Sequence, residues 1–530
     1  MKKFTRVLAL LLTFVMLTAT GCGSKKEEAS APEGKAETKT EATAEEKKDA
    51  KAETKDTLTI AQSADPVSLD PYGTTDTPAI RVASCMFETL VRLDDEGNIA
   101  PALAESWEIV DDCTYVFKLR EGVKFHNGEE LKASDIAFSF EKIAESPHAS
   151  SLRATIDFEN SKVVDDYTFE MKMTEPFGPI LNHLAHPVMA IVNEKAYTEA
   201  GDAVGQKPVG TGPYKFVSWE ASDRIILAKN EEYWGEAPAI PNVIWRTIPE
   251  VATRSIEVEA GGVDIAVDIQ ATDIARLENS KDVKIFKNVA SSVNFIGLNT
   301  TMEPFSDVRV RQAINYAIDK SAIYNVVYQG TGTIAEAPMS PVVWAYNDEL
   351  PQYEYNIEKA KELLAEAGYP DGFKMTMTTD ESQQRQDTAE MVQSQLAEIG
   401  IEVEIRPLER TTYIGEVCAG TLEAFSLGWS SDTGDPDYAL YASFHSSQHG
   451  EGGNMSFYTN PEVDKLLETG RTSTDQEERK EAYMKAQEIV WEEVPCIFLQ
   501  CPEDLYAYNA DLKNVGVYFD GQLRIPEISF

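Results

Sequence analysis

Cysteine and positive charge are both scarce in this sequence. Six cysteines occur in 530 residues and none forms a CxxC pair, which argues against a disulfide-built scaffold, a zinc ribbon or a thioredoxin-like site. Cys496 and Cys501 could bridge a short loop, although two buried free thiols fit equally well. The sequence has 48 Lys and Arg but 89 Asp and Glu, so the formal net charge is −41. This acidity argues against nucleic-acid binding, which requires clustered basic side chains.

Long apolar runs and catalytic motifs are also missing. No run reaches the roughly 18 apolar residues that a transmembrane helix needs. The patterns GxSxG, HExxH and GxxxxGK[ST] do not occur, so no hydrolase elbow, zinc-protease helix or phosphate loop is predicted. The histidine pairs His183/His186 and His445/His449 have metal-compatible spacings, but locally hydrogen-bonded side chains explain them better. We therefore expect a protein that is not an enzyme and holds no cofactor or metal.

The N-terminus has the layout of a secretory signal. Three basic residues precede an apolar stretch from Val7 to Leu17, and small residues lead from there to Cys22. The segment resembles the lipobox of bacterial lipoproteins, with Ala19 where leucine is usual; an ordinary signal peptide with an incidental cysteine is the alternative. We predict a signal peptide over 1–21 and a lipid on Cys22.

Residues 22–56 are predicted to form the lipidated cysteine and a polar spacer. After Cys22 this stretch has no aromatic and no large aliphatic side chain, so it buries no apolar surface and should be a solvated tether. The spacer carries 8 Lys and 10 Asp and Glu, which leaves a formal charge of −42 on residues 57–530. The folded body is therefore the acidic part, and we expect it outside the cell, held to the outer face of the membrane.

The body alternates helical and strand-like runs, which is typical of layered α/β folds. Within 356–430, apolar residues at helical spacing end at Gly368 and again at Gly400, and each stripe precedes a strand-like run. Such helix–glycine–strand units predict right-handed crossovers onto a mostly parallel sheet. The predicted elements are a helix over 78–90, a helix over 357–367, a strand over 373–379, a helix over 388–399, a strand over 401–406 and a strand over 424–429.

The last of these strands ends in the polar run SSDTGDPD. Ligands gather at the carboxyl ends of strands in open α/β sheets, so we place the candidate site between Trp429 and Asp437. Its carboxylates are Asp432, Asp435 and Asp437, and a turn rich in Asp, Gly and Pro would also account for them. A partly desolvated aspartate here would favour a cationic ligand group, because an ammonium offsets the cost of burying the carboxylate.

The body carries five distinctive strings in a fixed order: LDPYGTTDTPAIRVASCMFETLVRLDDEGNIAPALAESWEI, KFHNGEELKASDIAFSFEKI, GTGPYKF, FIGLNTTMEPFSDVRVRQAINYAIDK and GWSSDTGDPDY. Together they closely resemble the extracytoplasmic solute-binding proteins of ABC importers, in the oligopeptide/dipeptide/nickel-binding family (family 5). The resemblance covers about 57–530.

This resemblance implies a two-lobed α/β fold of the periplasmic-binding-protein type (type II), with an additional inserted domain and a hinge. The implied segments are lobe I (57–86, 208–292 and 496–530), the inserted domain (87–207) and lobe II (293–495). The lobes would close over a ligand, and the closed form would dock onto a membrane permease. A ligand drives such closure only by binding the closed state better.

The resemblance also implies ligand-binding residues. In peptide-binding members a Trp-x-x-Asp segment places its aspartate against the peptide ammonium, and the pattern here is Trp429–Ser430–Ser431–Asp432. The segment Thr74–Thr75–Asp76 resembles the lobe I stretch that lies along the peptide backbone, and main-chain pairing of that kind gives little sequence preference. Trp429 and Tyr438 line side-chain pockets or belong to the core.

The carboxylate end of a peptide has no evident partner. The arginine that dipeptide-binding members use falls here near Thr379 and Asp380, and neither can clamp a carboxylate. Arg385 or Arg410 could substitute for it. This departure favours a longer peptide, or a ligand without a free carboxylate, over a dipeptide.

The resemblance implies a binding function. Its expected partners are a peptide ligand, in first place an oligopeptide, the permease subunits of an ABC transporter, and the membrane through the lipid anchor. We expect a monomer and no nucleic acid. The alternative is the same fold with a non-peptide ligand such as a nickel chelate, haem, an oligosaccharide or an opine-like molecule.

Overall fold

The structure is a computed structural model that describes residues 55–94, 97–150 and 152–530. The predicted signal peptide, the predicted lipid site at Cys22 and nearly all of the tether lie outside the described residues. These described residues form one compact unit. Within the described ranges, no helix combines the length and the apolar character that crossing a membrane requires.

Strands and helices alternate along the body. In chain order, the strands are β1 (Thr57–Gln62), β2 (Val91–Leu93), β3 (Ile99–Pro101), β4 (Ala104–Asp111), β5 (Thr114–Leu119), β6 (Ile156–Asp165), β7 (Thr168–Met173), β8 (Tyr214–Glu220), β9 (Arg224–Lys229), β10 (Asn242–Thr247), β11 (Ile265–Val267), β12 (Val283–Val289), β13 (Ser292–Leu298), β14 (Thr333–Ile334), β15 (Lys374–Thr379), β16 (Glu402–Pro407), β17 (Ala424–Ser430), β18 (Cys496–Cys501) and β19 (Glu503–Asn509). The helices are α1 (Thr77–Ala83), α2 (Ala133–Glu145), α3 (Ile180–Leu184), α4 (Glu194–Ala200), α5 (Val251–Glu259), α6 (Ala271–Glu278), α7 (Val308–Ala317), α8 (Lys320–Val326), α9 (Ile357–Glu366), α10 (Gln383–Leu396), α11 (Arg410–Cys418), α12 (Ala442–Phe444), α13 (Pro461–Thr472) and α14 (Gln476–Glu493).

Two large sheets define two lobes. A seven-stranded sheet has the order β12-β19-β11-β1-β10-β9-β8, with β1 parallel to β10 and β11. A six-stranded sheet has the order β14-β18-β13-β17-β15-β16, with β15 parallel to β16 and β17. A smaller antiparallel sheet, β4-β5-β7-β6, and the hairpin β2-β3 come from the inserted segment. The fold is thus two-lobed and α/β, with an insertion.

Apolar side chains cover both faces of the six-stranded sheet. Along β13, Val293 and Phe295 enter one buried cluster and Ile296 and Leu298 enter another, since successive strand residues point to opposite faces. In the other half of the molecule, β1 of the first lobe and β5 of the inserted segment contribute to one continuous core. The insertion is therefore packed onto the first lobe.

Two chain crossings join the lobes and form the hinge. The chain passes from β12 to β13 through Ala290 and Ser291, and from β18 to β19 through Pro502. The Ala290 N–H donates to the Pro502 carbonyl (2.8 Å), so the crossings lie side by side. Strand β18 pairs with β13, which places 496–501 in the six-stranded sheet rather than in lobe I, where they were expected. The other segment boundaries stay predictions.

The region 356–430 follows the predicted succession of helices and strands, through α9, β15, α10, β16 and β17. Helix α10 runs into a short turn that ends at Gly400, whose φ of +82° stops the helix. The sheet is mixed rather than mostly parallel, because β13 runs antiparallel to both β17 and β18. The helix predicted over 78–90 is shorter than expected, since α1 ends at Ala83. Cys496 and Cys501 are buried free thiols.

Candidate functional site

A cavity of about 410 Å³ opens between the lobes. Its walls come from the first lobe and the inserted segment, chiefly from 68–93, 185–190, 233–236 and 518–527. Asp432, just after β17, is the single lining residue that the six-stranded-sheet lobe contributes. Because small-molecule sites occupy about 300–1,000 Å³, this cavity is large enough for a ligand, and Asp432 meets it from across the cleft.

Asp432 lies on a loop that is hydrogen-bonded to the hinge. The N–H of Ser431 donates to the carbonyl of Ser291 (3.0 Å), a residue of the first crossing. The Ser430 hydroxyl donates to one carboxylate oxygen of Asp432. The Asp432 side chain is otherwise exposed, and an ionised carboxylate accepts several hydrogen bonds, so it keeps free acceptor positions toward the cavity.

Further carboxylates share the surroundings of Asp432. Burial raises the pKa of Asp504 and of Asp520 to about 6, and the charge of Asp432 adds to both increases. Arg81 also lines the cavity, but Asp268 engages its guanidinium through two hydrogen bonds of 2.7 Å. The cluster therefore keeps a negative charge that favours a cation nearby.

His186 is the imidazole that lies beside Asp432 in the cavity wall. Burial lowers its pKa to about 4, and the negative charge of Asp432 acts in the opposite direction. The ring is thus neutral at pH 7 and does not compensate Asp432. The neighbouring His183 forms a hydrogen bond between its Nδ1 and the Leu152 carbonyl oxygen (3.0 Å). Across the part of the chain that the structure describes, no group of three or more His, Cys, Asp or Glu side chains is arranged to hold a metal ion.

A buried ion pair anchors the loop that carries Asp432. The Asp435 and Arg479 side chains are only 2% and 1% exposed, and Arg479 Nη2 lies 2.8 and 2.7 Å from the two carboxylate oxygens. Asp437 is buried as well; burial raises its pKa to about 7, against the effect of Arg471. Two aspartates of the run DTGDPD therefore hold the turn, and only the first reaches the cavity.

Two contacts join this loop to the opposite wall of the cavity. The Asn182 side chain donates from Nδ2 to the Thr433 carbonyl (3.0 Å). Gly434 has a φ of +71°, and a Cβ there would lie 2.9 Å from Cε1 of Phe519 and 3.4 Å from Cδ1 of Leu93. Because Thr433 and Gly434 directly follow Asp432, these contacts set how far its carboxylate enters the cavity.

Replacing Gly434 by alanine should weaken ligand binding by about 1–3 kcal/mol, the usual cost of forcing a group into a packed contact. The added methyl would push Phe519 and hold the lobes apart. Titration calorimetry of Gly434→Ala measures the loss. Gly261→Ala is the matched control, because Gly261 has a φ of +74° with nothing within 4 Å of its Cβ position. Equal affinities in the two variants would contradict a closure contact at Gly434.

The segment Thr74–Thr75–Asp76 is only partly at the cavity. Thr74 lines it, whereas Thr75 is exposed and does not. Asp76 is the N-cap of α1, where its carboxylate accepts from the Ala79 N–H (3.0 Å) and from the Thr74 hydroxyl. The carboxylate of Asp76 is thus engaged by its own helix, and peptide pairing along this segment stays a prediction.

Trp429 and Tyr438 support the loop from within their own lobe. Trp429 Nε1 donates to the Tyr438 carbonyl (2.8 Å), and the two rings are 6.0 Å apart. Trp429 and Ser431 line a separate gap of about 10 Å³, room for about one water molecule. Neither aromatic ring lines the 410 Å³ cavity.

The two arginines considered for a ligand carboxylate bind an internal one. Arg385 Nη1 and Arg410 Nη1 lie 2.5 and 2.6 Å from the same Asp380 oxygen, and the Asp380 side chain is 5% exposed. Neither arginine lines the cavity. Asp380 therefore takes up the charge that either would offer to a ligand.

Sequence reasoning missed most of the cavity wall. Tyr233 and Trp234 donate to the buried Glu88 at 2.9 Å each, and Tyr518 and Phe519 approach from the C-terminal segment. These residues come from turns far apart in sequence, so no periodicity or spacing marks them. The string that contains Glu88 was the only signal for this part of the site.

Comparisons with known proteins match nearly the whole body. Residues 98–451 match the family model described as bacterial extracellular solute-binding proteins, family 5 middle. The chain is 33% identical over 470 residues to the glutathione-binding protein GsiB of Pectobacterium atrosepticum, covering 87% of this chain and 91% of that protein. It is 34% identical over 429 residues to heme-binding protein A of Haemophilus influenzae, covering 76% and 78%. The solved structure of DppA from Helicobacter pylori in complex with the peptide STSA superposes with a TM-score of 0.74 at 32% identity, covering 90% of this chain and 98% of that one.

Proposed function

Because the chain belongs to the bacterial extracellular solute-binding proteins of family 5, we propose that it is a lipid-anchored receptor that closes over a short peptide and delivers it to the permease of an ABC transporter. The observation that carries this proposal is Asp432, a carboxylate from one lobe that lines a cavity built by the other. A peptide ammonium bound there bridges the lobes and favours their closed arrangement.

The electrostatics of the cavity support an ammonium as the bridging group. Asp432, Asp504 and Asp520 influence one another, and His186 carries no compensating charge at neutral pH. An ammonium placed at Asp432 lowers the energy of all three carboxylates, because an opposite charge favours their ionised form. A neutral ligand would leave that repulsion in place.

The size of the cavity favours a peptide of a few residues. Its volume of about 410 Å³ lies toward the lower end of the about 300–1,000 Å³ typical of small-molecule sites. One relative is named for glutathione and another holds the peptide STSA, and both of these ligands are short peptides. We therefore propose a ligand of two to four residues, which is shorter than the oligopeptide expected from the sequence.

Titration calorimetry of the purified protein tests the ligand class. The panel contains di-, tri- and tetrapeptides and glutathione, with haem and nickel–histidine as the non-peptide arms. We expect saturable binding of short peptides carrying a free ammonium. If only haem or nickel–histidine gives a heat of binding and no peptide does, the peptide proposal is wrong and the non-peptide alternative replaces it.

Hydrogen bonds connect the loop that carries Asp432 to the hinge. The Asp432 loop is hydrogen-bonded to Ser291, and the adjacent crossing residue Ala290 is hydrogen-bonded to Pro502. These hydrogen bonds connect the Asp432 loop to the first crossing and the first crossing to the second. We propose that the closed arrangement of the lobes is what the permease recognises.

Replacing Cys22 by alanine should release the protein from the membrane, because the proposed lipid on that cysteine is its only anchor in our account. A single acyl chain binds membranes weakly and two signals bind stably, so a multiply acylated cysteine would retain nearly all of the protein. Fractionation of cells labelled with an alkynyl fatty acid measures both the label and the location. A labelled, membrane-bound Cys22→Ala variant would contradict this prediction.

A further inference from the structure

We propose that Arg92 binds the anionic group of the ligand, which would make the protein a receptor for short peptides that carry both a free ammonium and a free carboxylate. Arg92 lies on the short strand β2 and lines the same cavity as Asp432. This inference rests on the proposed peptide-binding function and adds the second recognised terminus.

Arg92 is the arginine of the cavity wall whose charge is available. The other one, Arg81, is 8% exposed and forms a bidentate ion pair with Asp268. Within 55–94, 97–150 and 152–530, no side chain or carbonyl forms an ion pair or hydrogen bond with the Arg92 guanidinium. A planar guanidinium with five donors is well suited to a bidentate carboxylate.

Most carboxylates of the cavity wall already have protein partners. Glu88 accepts hydrogen bonds from Thr211, Tyr233 and Trp234 at 2.7 to 2.9 Å. Other lining carboxylates are held similarly: Asp70 by Tyr72 and Tyr197, Asp520 by Gln522, and Glu527 by Arg524. Among the described residues, Arg92 is thus the lining arginine without a protein partner, and Asp432 is the carboxylate that the other lobe contributes to the wall.

The two charges act on different parts of the wall. Arg92 lies close enough to Tyr233 and Tyr518 to act against the burial that raises their pKa values, that of Tyr518 to about 12. Asp432 acts instead on His186, Asp504 and Asp520. The charges of Arg92 and Asp432 therefore act on different side chains of one cavity wall, and a ligand that carries both a carboxylate and an ammonium would complement both charges.

This arrangement also accounts for the missing carboxylate partner in the other lobe. Arg385 and Arg410 are both engaged by Asp380 and lie outside the cavity wall. A carboxylate bound at Arg92 would be held by the lobe opposite to Asp432. The ligand would then bridge the cleft through its two termini, and each terminus would contribute to closure.

A cycle of peptide and protein variants tests the assignment. A short peptide that binds the wild type is titrated as the free acid and as its C-terminal amide, each with Arg92→Gln, Arg92→Lys and the surface control Arg224→Gln. We expect the wild type and Arg224→Gln to prefer the acid by about tenfold or more, since a charge pair with a desolvated partner is strong. Arg92→Gln should bring the two peptides within about twofold, and Arg92→Lys should retain part of the preference because it keeps the charge.

The outcomes separate this inference from the proposed function. If peptides bind and Arg92→Gln keeps the wild-type preference for the acid, Arg92 does not bind the carboxylate and the inference is overturned. If no peptide binds the wild type in any form, the proposed function fails first and the inference fails with it. N-terminal acetylation provides the complementary arm: it should weaken binding to the wild type and to Arg92→Gln by similar factors, because it acts at Asp432.

Discussion

Replacing Asp435 by alanine should lower the free energy of unfolding by about 3–5 kcal/mol, the scale for removing one partner of a buried ion pair. The remaining Arg479 side chain is 1% exposed and would stay buried without its direct ion-pair partner. Its guanidinium also lies 5.2 Å from the Trp344 ring and 5.7 Å from the Tyr483 ring, so it has no easy path to solvent. Chemical unfolding followed by tryptophan fluorescence measures the loss.

Two controls test whether the expected loss of stability comes from leaving one buried charge unpaired. The exposed pair Lys485–Glu488, with side chains about half exposed, should contribute only about 0–1 kcal/mol, and Glu488→Ala measures that contribution. The double variant Asp435→Leu/Arg479→Met removes both charges and should lose less than Asp435→Ala, because no stranded charge remains. A loss below about 1 kcal/mol for Asp435→Ala would contradict the role of this pair in holding the site loop.

Replacing Asp432 by alanine should weaken the binding of a short peptide by more than about 2 kcal/mol, the lower bound for truncating one partner of a buried charge pair. The reason is local: Asp432 is the single residue that its lobe contributes to the cavity wall. Without it, the ligand ammonium would lose its contact with that lobe. Titration calorimetry on a fixed peptide compares the variant with the wild type.

The acetylated form of the same peptide separates charge pairing from folding effects. Acetylation removes the ammonium, so wild type and Asp432→Ala should bind the acetylated peptide with similar affinity. Unfolding measurements should differ little, because Asp432 is exposed and its only hydrogen bond in the described residues comes from Ser430. An unchanged affinity of Asp432→Ala for the free peptide would remove this residue from the site.

The fold was readable from the sequence where local patterns determine it. The succession of helices and strands through 356–430 follows from apolar periodicity and from glycine at helix ends. The direction of β13 and β18 was not readable, because the antiparallel pairing of these two strands joins segments that lie far apart in the chain. The helix predicted over 78–90 failed at Ala83, since apolar residues continue at helical spacing into a buried turn.

Of the site residues predicted from the sequence, Asp432 and Thr74 line the cavity and the others do not. The polar run at the end of β17 contains Asp432, which lines the cavity, but the different environments of its three aspartates depend on packing that the sequence does not reveal. Asp435 is committed to Arg479, while Asp432 is free to face the cavity. The opposite wall comes from distant turns and from the C-terminal segment, so residues such as Tyr233 and Tyr518 carry no sequence signal of their own.

A crystal structure of the protein purified under native conditions, combined with mass spectrometry of the same sample, tests the central claim most directly. We predict a short peptide between the lobes, with its ammonium at the Asp432 carboxylate and a mass that corresponds to two to four residues. Haem or a nickel complex in that cleft, with no contact to Asp432, would contradict it.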